Sequence, residues 1–342
     1  MSVKETTRKT TRRSRLGTAV CIALLATGAL LTTVGQLTAA SAAANGLELI
    51  TEPSAGMTRI YHLLEGAKRS VDLTMYELSD PKAEAILVTD RARGVNVRVL
   101  LDQHYEQSQN TPAFNYLTAH RVEVRWAPTR YDLTHEKSAV IDGTIALVMS
   151  LNFTAQYYAT TRDFAVVDTK RTDVVAIENV FAADWSNRTI APPHGADLVW
   201  SPGAEPALVE LIGSARHSLL VENEEMNDPY ITAPLEAAAR RGVRVEVVMT
   251  RSNEWTDAFN QLTAAGVLVR TYAPSASLYI HAKVIVVDAG YAGAKTYLGS
   301  QNFSIASLVY NRELGLVTTS SAITNGVASI VRQDFAHATP WR

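Results

Sequence analysis

The chain has 342 residues, 47% of them hydrophobic, which is enough for a sizeable core and for two domains. The formal net charge is −2, and the single cysteine, Cys21, lies in an apolar stretch near the amino terminus. A mature chain that lacks this stretch contains no cysteine, which excludes a disulfide framework, a catalytic thiolate and cysteine-ligated zinc.

Residues 1–44 have the three-part composition of an export signal. Basic residues come first, an uncharged stretch rich in Ala and Leu follows, and small residues surround the expected cleavage points after Ala42 or Ala44. Adjacent Arg12 and Arg13 allow the twin-arginine route. The alternative is an uncleaved membrane anchor, because about 20 apolar residues can span a bilayer. We expect a cleaved signal and a secreted, extracellular protein.

The mature chain is acidic. Without the signal, 26 basic residues stand against 33 acidic ones, which gives a net charge of −7. Proteins that hold nucleic acid electrostatically match Lys and Arg to phosphates. The total charge therefore does not suggest nucleic-acid binding. A basic groove on part of the surface would still be compatible with this net charge.

After the signal, the chain contains one pattern twice, at an offset of 148 residues. LLEGAKRSVDLTMYELSDP (63–81) aligns with LIGSARHSLLVENEEMNDP (211–229), and RGVNVRVLL (93–101) aligns with RGVRVEVVM (241–249). The repeat predicts two halves of the same design.

The sequence of each half predicts the same secondary-structure elements in the same order. A short strand (47–51 or 197–200) leads into an amphipathic helix and a second strand (71–77 or 219–225), and an Asp-Pro pair opens the next helix. A Gly-Val pair ends that helix and begins a Val-rich strand, followed by a helix and a strand. A histidine-bearing strand, a Ser-x-Asn turn, a strand with an acidic residue and a closing helix complete the half. This alternation predicts α/β layers with mixed sheets.

A Pro- and Gly-rich segment at 191–196 separates the two copies. Such a composition is typical of a linker. We therefore predict a first domain at 45–190 and a second domain at 197–342, each holding one copy of the repeat.

The histidine-bearing strands carry the candidate chemistry. THEKSAVID holds His135 and Lys137, and YIHAKVIVVD holds His281 and Lys283 at the equivalent point of the repeat. Side chains alternate faces along a strand, so each histidine should point the same way as its lysine. One such pair is compatible with a solvated edge strand. Two pairs at matching points, each followed by Ser-x-Asn-Phe, argue against coincidence.

These motifs resemble those of the phospholipase D superfamily in its two-motif, single-chain form, over essentially the whole mature chain. The residues that carry the resemblance are His135, Lys137, Asp142, Ser150, Asn152 and Asp163 in the first half, and His281, Lys283, Asp288, Gly299, Ser300, Asn302 and Glu313 in the second. The resemblance implies two tandem α/β/α sandwiches related by a pseudo-twofold axis, with one shared phosphodiesterase site at their interface. Met149 stands where the family usually has Gly, which would tighten the phosphate turn, and Asp163 stands where Glu is common.

The candidate catalytic residues are His135, Lys137, Asp142, His281, Lys283 and Asp288. The two aspartates have the opposite strand parity and should lie at strand ends as structural partners. One histidine would attack phosphorus and the other would protonate the leaving oxygen. The resemblance implies His135 as the nucleophile and His281 as the acid and base, and the near-symmetry leaves the reverse order open.

The remaining candidates hold the phosphate and the histidines. The phosphate-binding candidates are Ser150, Asn152, Ser300 and Asn302. The two asparagines, with the two lysines, would supply positive charge and hydrogen bonds to the phosphoryl oxygens, and the two serines would shape this phosphate site or donate into it. Asp163 and Glu313 would each hold the far nitrogen of a histidine and fix its tautomer. We expect no metal and no cofactor, because the other histidines lack metal-ligand spacing.

The superfamily includes lipases, nucleases and lipid synthases, so the fold does not choose the substrate. We expect an exported phospholipase D that releases the headgroup from glycerophospholipids at a membrane or vesicle surface, with transfer to small alcohols as a second outcome. We expect a monomer with no obligate protein partner. The alternative is a secreted nuclease acting on DNA or RNA. The third hypothesis is a phosphate-binding module that kept the fold without catalysis.

Overall fold

Two eight-stranded mixed sheets form the frame of the protein. The computed structural model describes residues 46–342, so the predicted export signal at 1–44 lies outside the described residues. The strands are β1 (Leu47–Glu52), β2 (Ser70–Met75), β3 (Asn96–Leu101), β4 (Glu123–Trp126), β5 (Ser138–Ile141), β6 (Ile145–Met149), β7 (Thr161–Asp168), β8 (Leu198–Ser201), β9 (Ser218–Glu222), β10 (Arg244–Thr250), β11 (Leu268–Tyr272), β12 (Tyr279–Ile280), β13 (Val284–Val287), β14 (Lys295–Gly299), β15 (Glu313–Thr318) and β16 (Thr339–Pro340).

Helices connect and cover these strands. They are α1 (Thr58–Glu65), α2 (Pro81–Ala92), α3 (Gln107–Ala119), α4 (Arg171–Trp185), α5 (Glu205–Gly213), α6 (Pro229–Arg240), α7 (Thr256–Ala264) and α8 (Ser321–His337), with a 3₁₀ turn at Asn253–Trp255 and a π-helix at Ala306–Tyr310. The predicted Asp-Pro openings are confirmed: Asp80 accepts a hydrogen bond from the Lys82 amide, and Asp228 accepts one from the Tyr230 amide. Within residues 46–342, no helix is both long enough and apolar enough to cross a membrane.

The two sheets repeat one strand order, which confirms the predicted α/β repeats with mixed sheets. The first sheet runs β1-β7-β6-β5-β2-β3-β4, and the second runs β16-β11-β10-β9-β13-β14-β15-β8. In each sheet three strands are parallel, β2 to β4 and β9 to β11, and the other pairs of each main path are antiparallel. The sequence repeat is therefore a structural repeat, with β16 added at one edge.

The structure places each His-x-Lys pair just before a strand, whereas the sequence predicted it inside one. β5 begins at Ser138 and β13 at Val284, so His135 and His281 lie in the segments that enter these strands. The physical reason is that the backbone on the amino-terminal side of each histidine pairs with the opposite half of the protein, and pairing within its own sheet starts only after the lysine.

The two halves exchange short stretches of β-pairing. Thr134 forms a parallel bridge with Arg312, and β12 pairs in parallel with Thr161 and Arg162 at the start of β7. Thr134 immediately precedes one motif histidine, and β12 immediately precedes the other. Each of the two arginines immediately precedes an acidic residue. The exchanged pairing therefore places each histidine beside the acidic residue of the opposite half.

A shared hydrophobic core joins the halves. Val140 and Phe164 of the first sheet and Val284 and Leu314 of the second belong to one buried cluster, together with apolar residues of the closing helices α4 and α8. The opposite face of each sheet packs on helices of its own half. Since the halves share this core, the domain boundaries around 191–196 stay a prediction.

Two buried ion pairs also cross between the halves. Arg162 Nε lies 2.6 Å from Asp334 Oδ2 on α8, and Arg312 Nε lies 2.9 Å from Asp184 Oδ2 on α4. The two arginines are only 6% and 1% exposed. Each one is thus held by the closing helix of the other half, beside the acidic residue that follows it in the chain.

Met149 does not tighten a phosphate turn, contrary to the sequence prediction. Its side chain is buried in β6, opposite Ala165 of β7. At the equivalent position Gly299 lies opposite Gly315, and a Cβ at Gly299 would overlap the Gly315 Cα. The space above these glycines holds the bulky side chain of Tyr297. The two halves therefore fill the same core volume with different residues.

We predict that Asp184→Asn lowers the free energy of unfolding by about 3–5 kcal/mol, because it leaves the buried Arg312 guanidinium without its carboxylate. Urea denaturation measures this loss. Glu48→Gln, which breaks the exposed ion pair with Arg59, is the control and should cost less than about 1 kcal/mol. Equally small losses in both variants would contradict a stabilising role for the buried pair.

Candidate active site

One cavity of about 740 Å³ lies between the two halves, and both motif histidines line it. His135 enters from the segment before β5, and His281 enters from the segment between β12 and β13. Asn152 and Asn302, from the turns after β6 and β14, line the same cavity. The repeat therefore brings equivalent polar residues from both halves to one space.

Each histidine is held by the acidic residue of the opposite half. His135 Nδ1 lies 2.8 Å from Glu313 Oε2, and His281 Nδ1 lies 2.8 Å from Asp163 Oδ1. A carboxylate at Nδ1 accepts the N–H there, so in the neutral ring the lone pair is on Nε2. The sequence predicted that the acids hold the histidines, and the structure adds that the pairing crosses between the halves.

The acids are themselves fixed by hydrogen bonds. Glu313 accepts from the Ser307 hydroxyl and from Asn311 Nδ2, the latter at 3.1 Å. Asp163 accepts from the Ser150 hydroxyl at 2.5 Å. Glu313 is therefore held at both oxygens, whereas Asp163 binds Ser150 and His281 through Oδ1 alone. These hydrogen bonds fix the orientation of each carboxylate and hence of its histidine.

Ser150 and Ser300 do not line the cavity, so the structure favours the shaping role expected of them over direct hydrogen bonds to the phosphate. The Ser150 hydroxyl donates to Asp163 and accepts from the Phe164 amide, and the Ser300 hydroxyl bonds in the same way to the backbone of Leu314. Both serines are at most 1% exposed. They tie the turn to the strand that carries the acidic residue.

The motif lysines lie behind the histidines. Both are fully buried, and each Nζ donates to the backbone carbonyl of the histidine two residues before it, at 2.7 Å for Lys137 and 2.5 Å for Lys283. Burial lowers the pKa of Lys137 to about 7. Both lysines therefore act on the cavity from beneath its surface, and Lys137 is only partly charged near pH 7.

The motif aspartates lie outside the cavity, so the structure does not support their place in the catalytic set. Each follows the last residue of its strand in a left-handed conformation, with φ of 54° for Asp142 and 52° for Asp288. Their carboxylates accept from the amides of Lys68, Arg69 and Ser70 and of Arg216, His217 and Ser218, respectively. Burial opposes ionisation, but these amide bonds lower the pKa of both aspartates. This geometry agrees with the expected structural role.

The surroundings of the two histidines differ. His135 packs edge-on against Tyr76, with ring centroids 4.6 Å apart. Burial, with the nearby charge of Lys137, lowers the pKa of His135 to about 4 in spite of Glu313. His281 instead lies between two carboxylates, because Glu224 Oε2 is 3.4 Å from its Nε2. Burial thus keeps the ring of His135 neutral, whereas His281 has a carboxylate oxygen beside each ring nitrogen.

Sequence reasoning missed several residues of this site, above all Glu224. β9 ends at Glu222, earlier than predicted, so Glu224 lies in the turn that faces the cavity. The signal was a break in the repeat, because the equivalent of Glu224 in the first half is Tyr76. Glu225 also lines the cavity, and it accepts a hydrogen bond from Asn302 Nδ2 at 3.1 Å. Glu52, Ser307 and Asn311 had no sequence signal.

Comparison with known proteins shows what the chain resembles. A protein-family model described as "Cardiolipin synthase, PLD-like domain" matches residues 60–185 and 208–337. Cardiolipin synthase A of Serratia proteamaculans (strain 568) is 25% identical and covers 87% of this chain and 72% of that protein. Mitochondrial cardiolipin hydrolase of Xenopus tropicalis is 32% identical over 128 residues, which is 37% of this chain and 60% of that protein. Phosphatidylserine synthase of Haemophilus influenzae Rd KW20 shares the fold, with a TM-score of 0.68 at 14% identity over 86% of this chain and 87% of that chain.

We predict that His135 stays neutral from pH 7 down to about pH 4, because its burial disfavours the charged ring. Its ring carbon shift in an NMR titration measures this, and the His135→Gln spectrum assigns the resonance. A midpoint near the ordinary histidine pKa of about 6.5 would contradict the proposed neutral state.

Proposed function

Because the chain belongs to the cardiolipin synthase and phospholipase D-like family, and hence acts on phosphodiesters, we propose that it is a phospholipase D. It would hydrolyse glycerophospholipids to phosphatidic acid and free headgroup through a phosphohistidine, without a metal. The observation that carries this proposal is the pair of histidines facing one cavity, each with Nδ1 held by a carboxylate of the opposite half.

The proposed reaction has two displacement steps at phosphorus. His135 Nε2 attacks phosphorus with its lone pair, the bond from phosphorus to the headgroup oxygen breaks, and His281 gives its Nε2 proton to that oxygen. Water then attacks phosphorus, His281 takes the proton of the water, and the phosphorus–nitrogen bond breaks. An alcohol in place of water would give transphosphatidylation. The buried lysines stabilise the negative charge that builds on the phosphoryl oxygens.

The difference between the two histidines supports this order of roles. A nucleophile needs a free lone pair, and the lowered pKa of His135 keeps its ring neutral near pH 7. A general acid must give a proton to the leaving oxygen, and the carboxylates beside both nitrogens of His281 fit a ring that donates a proton. The sequence left the order open because the two motifs are alike.

The walls of the cavity favour a lipid over a nucleic acid. Among the described residues that line it, Glu52, Asp163, Glu224 and Glu225 are acidic, and none is Lys or Arg. A polyanionic strand gains affinity from Lys and Arg at its phosphates and would be repelled here. A phospholipid carries a single phosphodiester and needs only one anion-binding site. These walls therefore weigh against the nuclease alternative.

An apolar rim at the mouth of the cavity supports action at a lipid surface. Tyr157, Ile305, Val309 and Tyr310 are between 36% and 53% exposed. They lie in the two segments, near 154–160 and 304–310, that also contribute residues to the cavity wall. Exposed apolar residues grouped at a site mark contact with a membrane or a partner. Together with the predicted export signal, this rim fits an extracellular lipid surface.

We predict that the protein releases choline or ethanolamine from phospholipid vesicles, and that a chelator does not reduce the rate. His135→Ala should abolish the release, because no lone pair then reaches phosphorus. The same preparation is tested on plasmid and single-stranded DNA. Degradation of DNA without headgroup release would favour the nuclease. Inactivity on both substrates, with ligand binding unchanged in His135→Ala, would favour a binding module.

We predict that His281→Ala accumulates a phosphoenzyme on His135 when given a p-nitrophenyl phosphodiester. This leaving group departs without a proton, so the first step survives, whereas the second step lacks its base. A burst of p-nitrophenol and phosphopeptide mapping measure the intermediate. His135→Ala is the matched variant and should show no burst. A burst in His135→Ala, with none in His281→Ala, would reverse the assignment of roles.

A further inference from the structure

We propose that Glu224 and Glu52 form a subsite for the ammonium group of the leaving headgroup, so that the enzyme prefers cationic over uncharged headgroups. This inference rests on the proposed function and adds the chemical class of the headgroup. Both carboxylates line the cavity on the side of His281, the residue that would protonate the leaving oxygen.

Glu224 lies beside the basic side chains of the site, Lys283 and His281. Its Oε2 lies 2.9 Å from Lys283 Nζ and 3.4 Å from His281 Nε2, and its Oε1 accepts from the Tyr279 hydroxyl at 2.9 Å. Burial opposes its ionisation, but the positive charges of His281 and Lys283 lower the pKa of Glu224 well below its usual range. Glu224 is therefore a fixed negative charge inside the site.

A bound substrate changes the partners of Glu224. The phosphodiester anion would take the hydrogen bonds of Lys283 and His281, and Glu224 would then need another cation, since an unpaired charge in a buried site is costly. In choline and ethanolamine esters the nitrogen is two carbon atoms from the leaving oxygen. With that oxygen at His281 Nε2, the ammonium group lies within reach of the adjacent carboxylate. A glycerol headgroup offers no such charge.

Glu52 provides the second, independent observation. Its side chain is 1% exposed and lines the cavity, and neither carboxylate oxygen makes a hydrogen bond to a described residue. It lies opposite Asp163 in the pairing of β1 with β7, and so on the His281 side. Burial, with the negative charge of Asp163, raises the pKa of Glu52 to about 7, although the nearby Gly56 amide and the charge of Arg162 oppose this. A buried carboxyl without a partner gains most from a bound cation.

The subsite exists on one side of the cavity only. Position 76, the equivalent of Glu224 in the first half, is Tyr76, which packs against His135. Tyr157, Tyr158 and Tyr279 also line the cavity. Aromatic walls suit quaternary and primary ammonium groups. The lipid part of the substrate would lie on the other side.

The test compares headgroups in one membrane. Phosphatidylethanolamine and phosphatidylglycerol are each diluted into the same host vesicle, and kcat/KM is measured for wild type, Glu224→Gln and Glu52→Gln. We expect wild type to prefer the ethanolamine lipid, and Glu224→Gln to reduce the preference about tenfold or more, the effect of losing a hydrogen bond to a charged group. Glu210→Gln, an exposed change on α5, is the control and should keep the wild-type ratio.

Free choline and glycerol give a second readout that does not involve the vesicle. Choline should inhibit wild type competitively and should inhibit Glu224→Gln about tenfold more weakly, whereas glycerol should not discriminate between the two. A wild type that hydrolyses both lipids equally, or a ratio that Glu224→Gln leaves unchanged, overturns the subsite but not the phospholipase. A wild type that hydrolyses no lipid overturns the proposed function, and the subsite with it.

Discussion

The hydrogen bond between a histidine of one half and a carboxylate of the other is the interaction on which the site depends. It fixes the tautomer of each ring and thereby the nitrogen that faces the cavity. It exists because the backbone beside Thr134 and Ile280 pairs with the backbone beside Arg312 and Arg162. The same two arginines then form buried ion pairs with the closing helices of the opposite half. Main-chain pairing, side-chain charge and site geometry thus specify one relative placement of the halves.

Much of this could be predicted from the sequence, because it depends on spacing and repetition. The mixed sheets, the Asp-Pro helix starts and the two histidine motifs all follow from local pattern. The crossing of each acid to the opposite histidine does not, since no local pattern records which strand ends meet. The sequence left two roles open for Ser150 and Ser300 for a related reason. A hydroxyl beside a strand can bond to that strand or to a ligand, and burial decides which.

The duplicated halves have diverged where the chemistry needs a difference. Tyr76 and Glu224 occupy equivalent positions in the two halves. Tyr76 packs against the neutral ring of His135, whereas Glu224 places a negative charge beside His281. Glu52 stands where the second half has Ser201, as the pairing of β1 with β7 and of β8 with β15 shows. Differences in the core, such as Met149 against Gly299, preserve volume instead. Divergence that conserves volume maintains the fold, whereas divergence that changes charge makes the two sides of the cavity unlike.

The core that runs through both halves limits how the cavity between them can open. A cleft between loosely joined lobes can admit substrate by hinge opening, but here such a motion would strip apolar side chains of their contacts and expose Arg162 and Arg312. The shared core and the two buried ion pairs therefore oppose separation of the halves.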